Sequence, residues 1–298
     1  MRCHRVLAAA AGQVWLVEQT KGRAIAEFLA RVATDEEIET RRISPRKEEA
    51  LRKDERGVAI IEAHGVFGQR MNVMSEISGG TSTEMLEAEV RGAIADPAVK
   101  AIMLHIDSPG GSVYGLQSLA ATISEAKRSK PIVAQVDSLA ASAAYWIASQ
   151  CTEIVASPGS DVGSIGAYML HEDVSEMLEA EGVKETLIYS GKYKVEGNPY
   201  EPLNDDAREF MQSRVDLVMR DFLAAVAEGR SKTVEHVAEK FGQGRCVEAR
   251  EALKAGMIDG IATPRETLSR FYSSPSRGAR AELNLEKEKR RIALLKSK

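Results

Sequence analysis

The residues that could do chemistry in this chain lie in short segments that a fold would have to bring together. Ser138-Leu139-Ala140-Ala141-Ser142-Ala143-Ala144-Tyr145 places a serine in a run of small residues. It follows a strand-like stretch and opens a helical one. A helix head carries unpaired N–H groups and partial positive charge, which favour a developing anion. The small neighbours let a substrate backbone come close to Ser142. The same features describe an ordinary N-cap serine, and the segment alone does not separate the two.

Asp107-Ser108-Pro109-Gly110-Gly111-Ser112 supplies a second part. Glycine lacks a Cβ, so its backbone can turn an N–H group toward a cavity. Gly110 or Gly111, together with Ala143, would form an oxyanion hole, where one donor is typically worth about 10²–10³ in rate. The plainer account is a strand-to-helix turn that needs glycine.

The candidate base is Lys194, in Ser190-Gly191-Lys192-Tyr193-Lys194. A free lysine, with a pKa near ~10.4, is protonated at neutral pH. Burial disfavours the charged form, so an amine held beside Ser142 in an apolar pocket would take its proton. Most lysines are surface residues instead. Ser164, in Gly163-Ser164-Ile165-Gly166, is a candidate to orient the amine. His171 and His105 keep a Ser–His–Asp arrangement open as a competitor. His171 also reads as a residue near a helix start that Asp173 caps.

Repeated strand–helix units must position these groups. Val14-Trp15-Leu16-Val17 is strand-like, and Ile25, Phe28, Leu29 and Val32 fall on one helical face. Residues 35–57 are dense in charge and read as a solvated linker. Val58-Ala59-Ile60-Ile61 opens the main domain as a buried strand. Thr81 and Glu84 have the spacing of a capping box before a helix carrying Met85, Leu86, Val90 and Ile94, which Asp96-Pro97 ends. Strands follow at 99–106 and 131–136, and Ser112 is placed to cap the helix that carries Leu116, Leu119, Ala120 and Ile123. A small-residue helix covers 141–149. Ile154-Val155, 165–170 and 185–189 read as strands, and 173–181 as a helix. A long helix spans 205–228, with shorter ones at 233–240 and 248–255. This alternation argues an α/β architecture. The expected organisation is a leader and linker over 1–57, a catalytic domain over 58–270 and a charged helical tail over 271–298.

Composition excludes several classes. The net charge of -4 gives no case for nucleic acid binding. Three cysteines and five histidines are scattered, with no metal-ligand spacing and no disulfide framework. No metal or cofactor is expected. Arg2 and Arg5 precede Val6-Leu7-Ala8-Ala9-Ala10-Ala11, a short signal-like run that Gly12 and Gln13 break. No stretch approaches the ~20 apolar residues of a membrane-spanning helix. The expectation is a soluble intracellular protein in a reducing compartment.

Taken in order, these segments resemble the signal peptide peptidase A family of serine peptidases. The likeness covers roughly residues 58–265 and rests on Asp107-Ser108-Pro109-Gly110-Gly111, Ser138-Leu139-Ala140-Ala141-Ser142, Gly163-Ser164-Ile165-Gly166, Ser190-Gly191-Lys192-Tyr193-Lys194, and Gly244-Arg245-Cys246-Val247 with Gly256-Met257-Ile258-Asp259. It implies a Clp protease/crotonase-like fold and a Ser–Lys dyad. Ser142 matches the nucleophile, Lys194 the base, Ser164 its orienting serine, and Gly110 or Gly111 the oxyanion donor. Lys194 is preferred over Lys192 on this likeness, since spacing does not separate them.

Within the family the chain resembles the bacteriophage capsid-maturation branch, through the leader at 14–17 and the loop Lys194-Val195-Glu196-Gly197-Asn198-Pro199-Tyr200-Glu201-Pro202-Leu203. That likeness implies a homo-oligomer cleaving scaffold or capsid proteins inside the immature capsid, in the host cytoplasm. Ala143 and Ala144 depart from the Gly-Gly of cellular members, and Ala249 from a common Gly. A fused scaffold role is not expected, because the chain stops at Lys298. Three alternatives remain: a cellular peptidase that degrades signal peptides, a crotonase-type acyl-thioester enzyme that needs neither Ser142 nor Lys194, and an inactive structural or scaffold-binding capsid component.

Overall fold

The computed structural model describes residues 14–17, 54, 56–70 and 80–273. The signal-like run at 6–11, the helix at 25–32, nearly all of the charged linker and the tail from 274 onward lie outside the described residues.

The strands in chain order are β1 (Trp15–Val17), β2 (Val58–His64), β3 (Phe67–Gly68), β4 (Thr81–Ser82), β5 (Ala101–Ser108), β6 (Gly110–Ser112), β7 (Ile132–Ala141), β8 (Glu153–Ala156), β9 (Asp161–Gly163), β10 (Cys246–Glu248) and β11 (Gly260–Ile261). The helices are α1 (Thr83–Ala95), α2 (Leu116–Ala126), α3 (Ala143–Ser149), α4 (Ser175–Ala180), α5 (Asp205–Arg230), α6 (Val234–Lys240), α7 (Ala249–Ala255) and α8 (Pro264–Ser273). The chain is α/β, as the alternation predicts.

A seven-stranded sheet carries the frame. β2, β5 and β7 run parallel side by side. Their near-continuous apolar runs suit a parallel sheet covered on both faces. β7 divides its partners. Val133 to Val136 pair with β8, and Leu139 to Ala141 pair with β9. A register shift between Ile106 and Ser108 offsets β5 against β7 just before the glycine turn, and Ser108 then pairs with Ala140. The smaller sheet has the order β1-β6-β3-β4, with β6 parallel to β3 and antiparallel to β1. The glycine turn therefore joins the two sheets.

The core lies against the large sheet. Ile102, Leu104 and Ile106 from β5 meet Leu116, Leu119 and Ile123 from α2 and Tyr145 and Ile147 from α3, all fully buried. Burying such a side chain stabilises by about 1.5–3 kcal/mol. Trp146 stacks on Phe222 with ring centroids 4.9 Å apart, which ties α3 to α5. The Tyr145 hydroxyl donates to the Met257 carbonyl at 2.9 Å. The helix that starts after Ser142 is thus pinned on two sides.

Several local expectations differ from the structure. Ser82, not Thr81, caps α1, accepting from the Met85 N–H. Thr81 is drawn into β4, where its hydroxyl donates to the His64 carbonyl. Gly115 takes the cap position of α2 at φ 76°, and Ser112 is part of β6. No strand forms over 165–170, because Ser164 turns the chain at φ 52° right after β9. Residues 185–189 are exposed and make no strand, since no strand among the described residues pairs with them. β7 runs five residues further than the expected 131–136, to Ala141, because β9 pairs with its second half.

Candidate active site

The site forms where β7 ends and α3 begins. Ser142 occupies the cap position of α3 with φ 55° and ψ -117°, and its side chain makes no cap hydrogen bond. A non-glycine residue there is strained by about 1–3 kcal/mol and must be held by its surroundings. The holding groups are visible. The Ser142 N–H donates to the Gly163 carbonyl at 2.7 Å, and its carbonyl accepts from the Trp146 N–H at 3.0 Å. The serine is 1% exposed. Its Oγ reaches only the Gly166 carbonyl, at 3.5 Å. The N-cap account of this residue fails, since the hydroxyl caps nothing.

The glycine turn packs against this serine. Gly110 has φ 100°. A Cβ there would stand 3.0 Å from the Ala143 nitrogen and 2.9 Å from the Ala141 carbonyl oxygen, and would collide with the Leu16 carbonyl oxygen. Gly111 approaches the Phe67 backbone just as closely, so both positions need glycine. Ala143 is the first residue of α3, where the N–H has no intrahelical acceptor. Gly110, Ser142, Ala143 and the Gly163–Gly166 segment are therefore one cluster.

Ser164 lies on that segment at φ 52°, 7% exposed, with its N–H donating to the Arg245 carbonyl at 2.9 Å. Gly163 precedes it at φ 109°, squeezed between Met257 and the Arg245 carbonyl. Two consecutive left-handed residues hook the chain back over Ser142.

Two participants were not singled out by sequence reasoning. Ser108, fully buried, donates from Oγ to the Gly65 carbonyl at 2.6 Å and accepts from the Gly110 N–H at 3.1 Å. The signal was its place inside the Ser-Pro-Gly-Gly turn. Gly166 closes the Gly163-Ser164-Ile165-Gly166 segment, and its carbonyl accepts from the hydroxyl of the nucleophile candidate.

Residues 124–273 match the model of peptidase family S49, which is half of the chain. The chain belongs to this family. S49 peptidases have the ClpP/crotonase-like fold, and the mixed sheet with its flanking helices is that fold. Capsid assembly protease C of Escherichia phage lambda is 32% identical over 213 residues, 72% of this chain and 48% of the relative. Head-tail preconnector protein GP5 of Enterobacteria phage P21 is 33% identical over 213 residues, 72% and 42% of the two chains. Protease 4 of Salmonella typhi is 29% identical over 205 residues, covering 68% of this chain and 32% of the relative. The chain thus spans about half the length of the phage relatives or less. These relatives match the signal peptide peptidase A resemblance and its phage branch.

Lys194 lies on an exposed stretch between α4 and α5. Neighbouring Lys192 donates to the Tyr193 hydroxyl at 2.7 Å, which pushes the pKa of its amine above the usual lysine value. His171 makes a 3.1 Å hydrogen bond to the Asn198 carbonyl, and Asp173 accepts from Ser175 instead. His105 packs edge-on against His64, ring centroids 5.0 Å apart. No Ser–His–Asp arrangement forms among these residues. Among the described residues no group of three or more His, Cys, Asp or Glu could hold a metal ion. No described helix is long and apolar enough to cross a membrane.

Proposed function

We propose that this chain is a serine endopeptidase in which Ser142 attacks the scissile carbonyl and Lys194 takes its proton. The observation that carries the reading is the strained, uncapped Ser142 beside the free head of α3. The Ala143 N–H faces the glycine turn and serves as one oxyanion donor. Gly110 or Gly111 supplies the second donor; the Gly110 N–H is held by Ser108 in this structure. Such donors act most strongly when fixed in advance, which two glycines at forced backbone angles supply. Ser164 sits on the hooked segment above Ser142 and orients the incoming amine.

Lys194 is exposed, whereas Ser142 is buried. Ile188 is 96% exposed, and Tyr189 and Tyr193 are more than half exposed on the same stretch. We read this apolar arm as a contact between copies, so that Lys194 completes the dyad only in a homo-oligomer. The names of the phage relatives favour scaffold or capsid proteins as substrates, cut within the immature capsid in the host cytoplasm. We take the peptidase domain as residues 58–270.

The test is a fluorophosphonate probe on the purified full chain. Wild type labels at one site, and Ser142→Ala does not. Absence of labelling in folded wild type at high protein concentration would sink the peptidase reading and favour an inactive capsid component.

A further inference from the structure

We propose that the chain's own N-terminal strand is a resident peptide in this site, occupying the β6 edge that an extended substrate would need. The inference rests on the peptidase reading for the role of the donors, and on the strand pairing for everything else. β1 lies antiparallel to β6, with Val17 opposite Gly110, Leu16 opposite Gly111 and Trp15 opposite Ser112. β3 takes the other edge of β6. An extended peptide recognised by strand addition needs a free edge, and β6 has none while β1 stays.

The position of one carbonyl sharpens this. The Leu16 carbonyl oxygen lies within clash distance of the point a Cβ on Gly110 would occupy, and that point is 3.0 Å from the Ala143 nitrogen. The leader's backbone therefore runs directly against the glycine turn, whose neighbour is the head of α3. The Leu16 side chain is fully buried, so the edge also offers an aliphatic subsite. β1 is only three residues long, and β6 is its one partner strand among the described residues, so its hold is local. The ligand class that follows is an extended peptide with an aliphatic residue opposite Gly111. The consequence is self-occlusion: the site opens when residues 15–17 leave.

Two variants of the full chain test this. Trp15→Cys with Ser112→Cys, in a Cys3→Ser background, locks the strand by a disulfide. Directly opposed residues of an antiparallel pair have Cα atoms about 4.5–5.5 Å apart, within disulfide reach. Leu16→Asp puts a charge in the aliphatic subsite and expels the strand. Leu16→Gly replaces it should Leu16→Asp fail to fold. The readouts are fluorophosphonate labelling and anisotropy of a fluorescent synthetic peptide spanning residues 12–19. The oxidised lock labels at least tenfold more slowly than its reduced form, and the expelled variant at least tenfold faster than wild type. The peptide binds the expelled variant at least tenfold more tightly than the oxidised lock. Equal, measurable labelling of oxidised and reduced lock, or equal peptide binding to lock and expelled variant, overturns the proposal. Peptide binding to the expelled variant alone, with no form labelling, leaves the resident strand standing and removes the peptidase reading instead.

Discussion

The hydroxyl of Ser108 is a bridge between the Gly65 carbonyl and the Gly110 N–H, and it sets the orientation of the glycine turn. Both bonds are made by a fully buried oxygen. Ser108→Ala leaves the buried Gly110 N–H and the half-buried Gly65 carbonyl without this partner, a loss of about 1–3 kcal/mol of stability. The turn then tilts away from Ala143. We expect kcat to fall at least tenfold with KM little changed, because the lost geometry matters to the transition state more than to substrate binding. Steady-state kinetics and thermal unfolding of the same variant check both halves. Proportional losses in KM alone would contradict a positioning role.

Ser142 holds its backbone strain for reasons that its side chain does not supply. Its Oγ makes one 3.5 Å contact, at the limit of a hydrogen bond. Ser142→Ala should therefore unfold at nearly the wild-type temperature while losing probe labelling. Ser142→Gly relieves φ 55° and should be more stable than Ser142→Ala by about 1 kcal/mol. Both variants are inactive. Calorimetry on the three proteins reads the order directly, and a glycine variant less stable than the alanine variant would contradict the strain argument.

The sequence made the strand–helix rhythm legible because apolar runs and helical spacing report local burial. Val58-Ala59-Ile60-Ile61 and the small-residue helix after Ser142 stood out for that reason. Three things stayed hidden. The choice of Ser82 over Thr81 as a cap depends on β4 pairing with β3, a contact across sequence. The segments at 165–170 and 185–189 have strand composition but form no strand, and composition does not report pairing. The approach of Leu16 to Gly110 joins residues nearly a hundred positions apart and has no periodic signature. For the candidate site, Ser142, Ser164 and the two glycines were visible as small residues in odd places. Lys194 was visible only by resemblance, since an exposed lysine looks like any other.

Acid should destabilise this fold through a specific pair. Arg230 makes a two-pronged ion pair with Asp259, both bonds at 2.8 Å, and the Ile154 N–H donates to the same carboxylate. Burial pushes the Asp259 pKa up, but Arg230 and Ile154 outweigh it and hold the carboxyl below its ordinary value. A depressed carboxylate contributes stability that is present above the unfolded pKa of about 3.9 and is lost as pH falls through the folded value. The loss belongs to the region below about pH 4. Asp259→Asn removes that part of the acid slope and costs about 2 kcal/mol at neutral pH, less than a fully buried pair because the carboxylate is partly in water. Urea unfolding of both proteins from pH 3 to 7 measures it. An unchanged acid slope in Asp259→Asn would assign the effect elsewhere.

The exposed lysines separate by their effect on activity rather than on stability. Lys192 is engaged by Tyr193, whose hydroxyl favours the charged amine, so Lys192 is a poor proton acceptor. Lys192→Ala should keep activity within about threefold, a change of under 1 kcal/mol. Lys194→Ala should lose at least a hundredfold, the usual scale for removing a general base, with no change in unfolding temperature. If a neighbouring copy supplies the amine, two inactive variants hold complementary parts. Mixing Ser142→Ala with Lys194→Ala under subunit exchange then restores part of the wild-type activity, since some sites pair an intact serine with an intact lysine. Activity of wild type should also rise faster than linearly with protein concentration below the assembly threshold. Linear activity on dilution and no recovery on mixing would place the proton acceptor within a single chain, by movement of the 183–204 stretch toward Ser142.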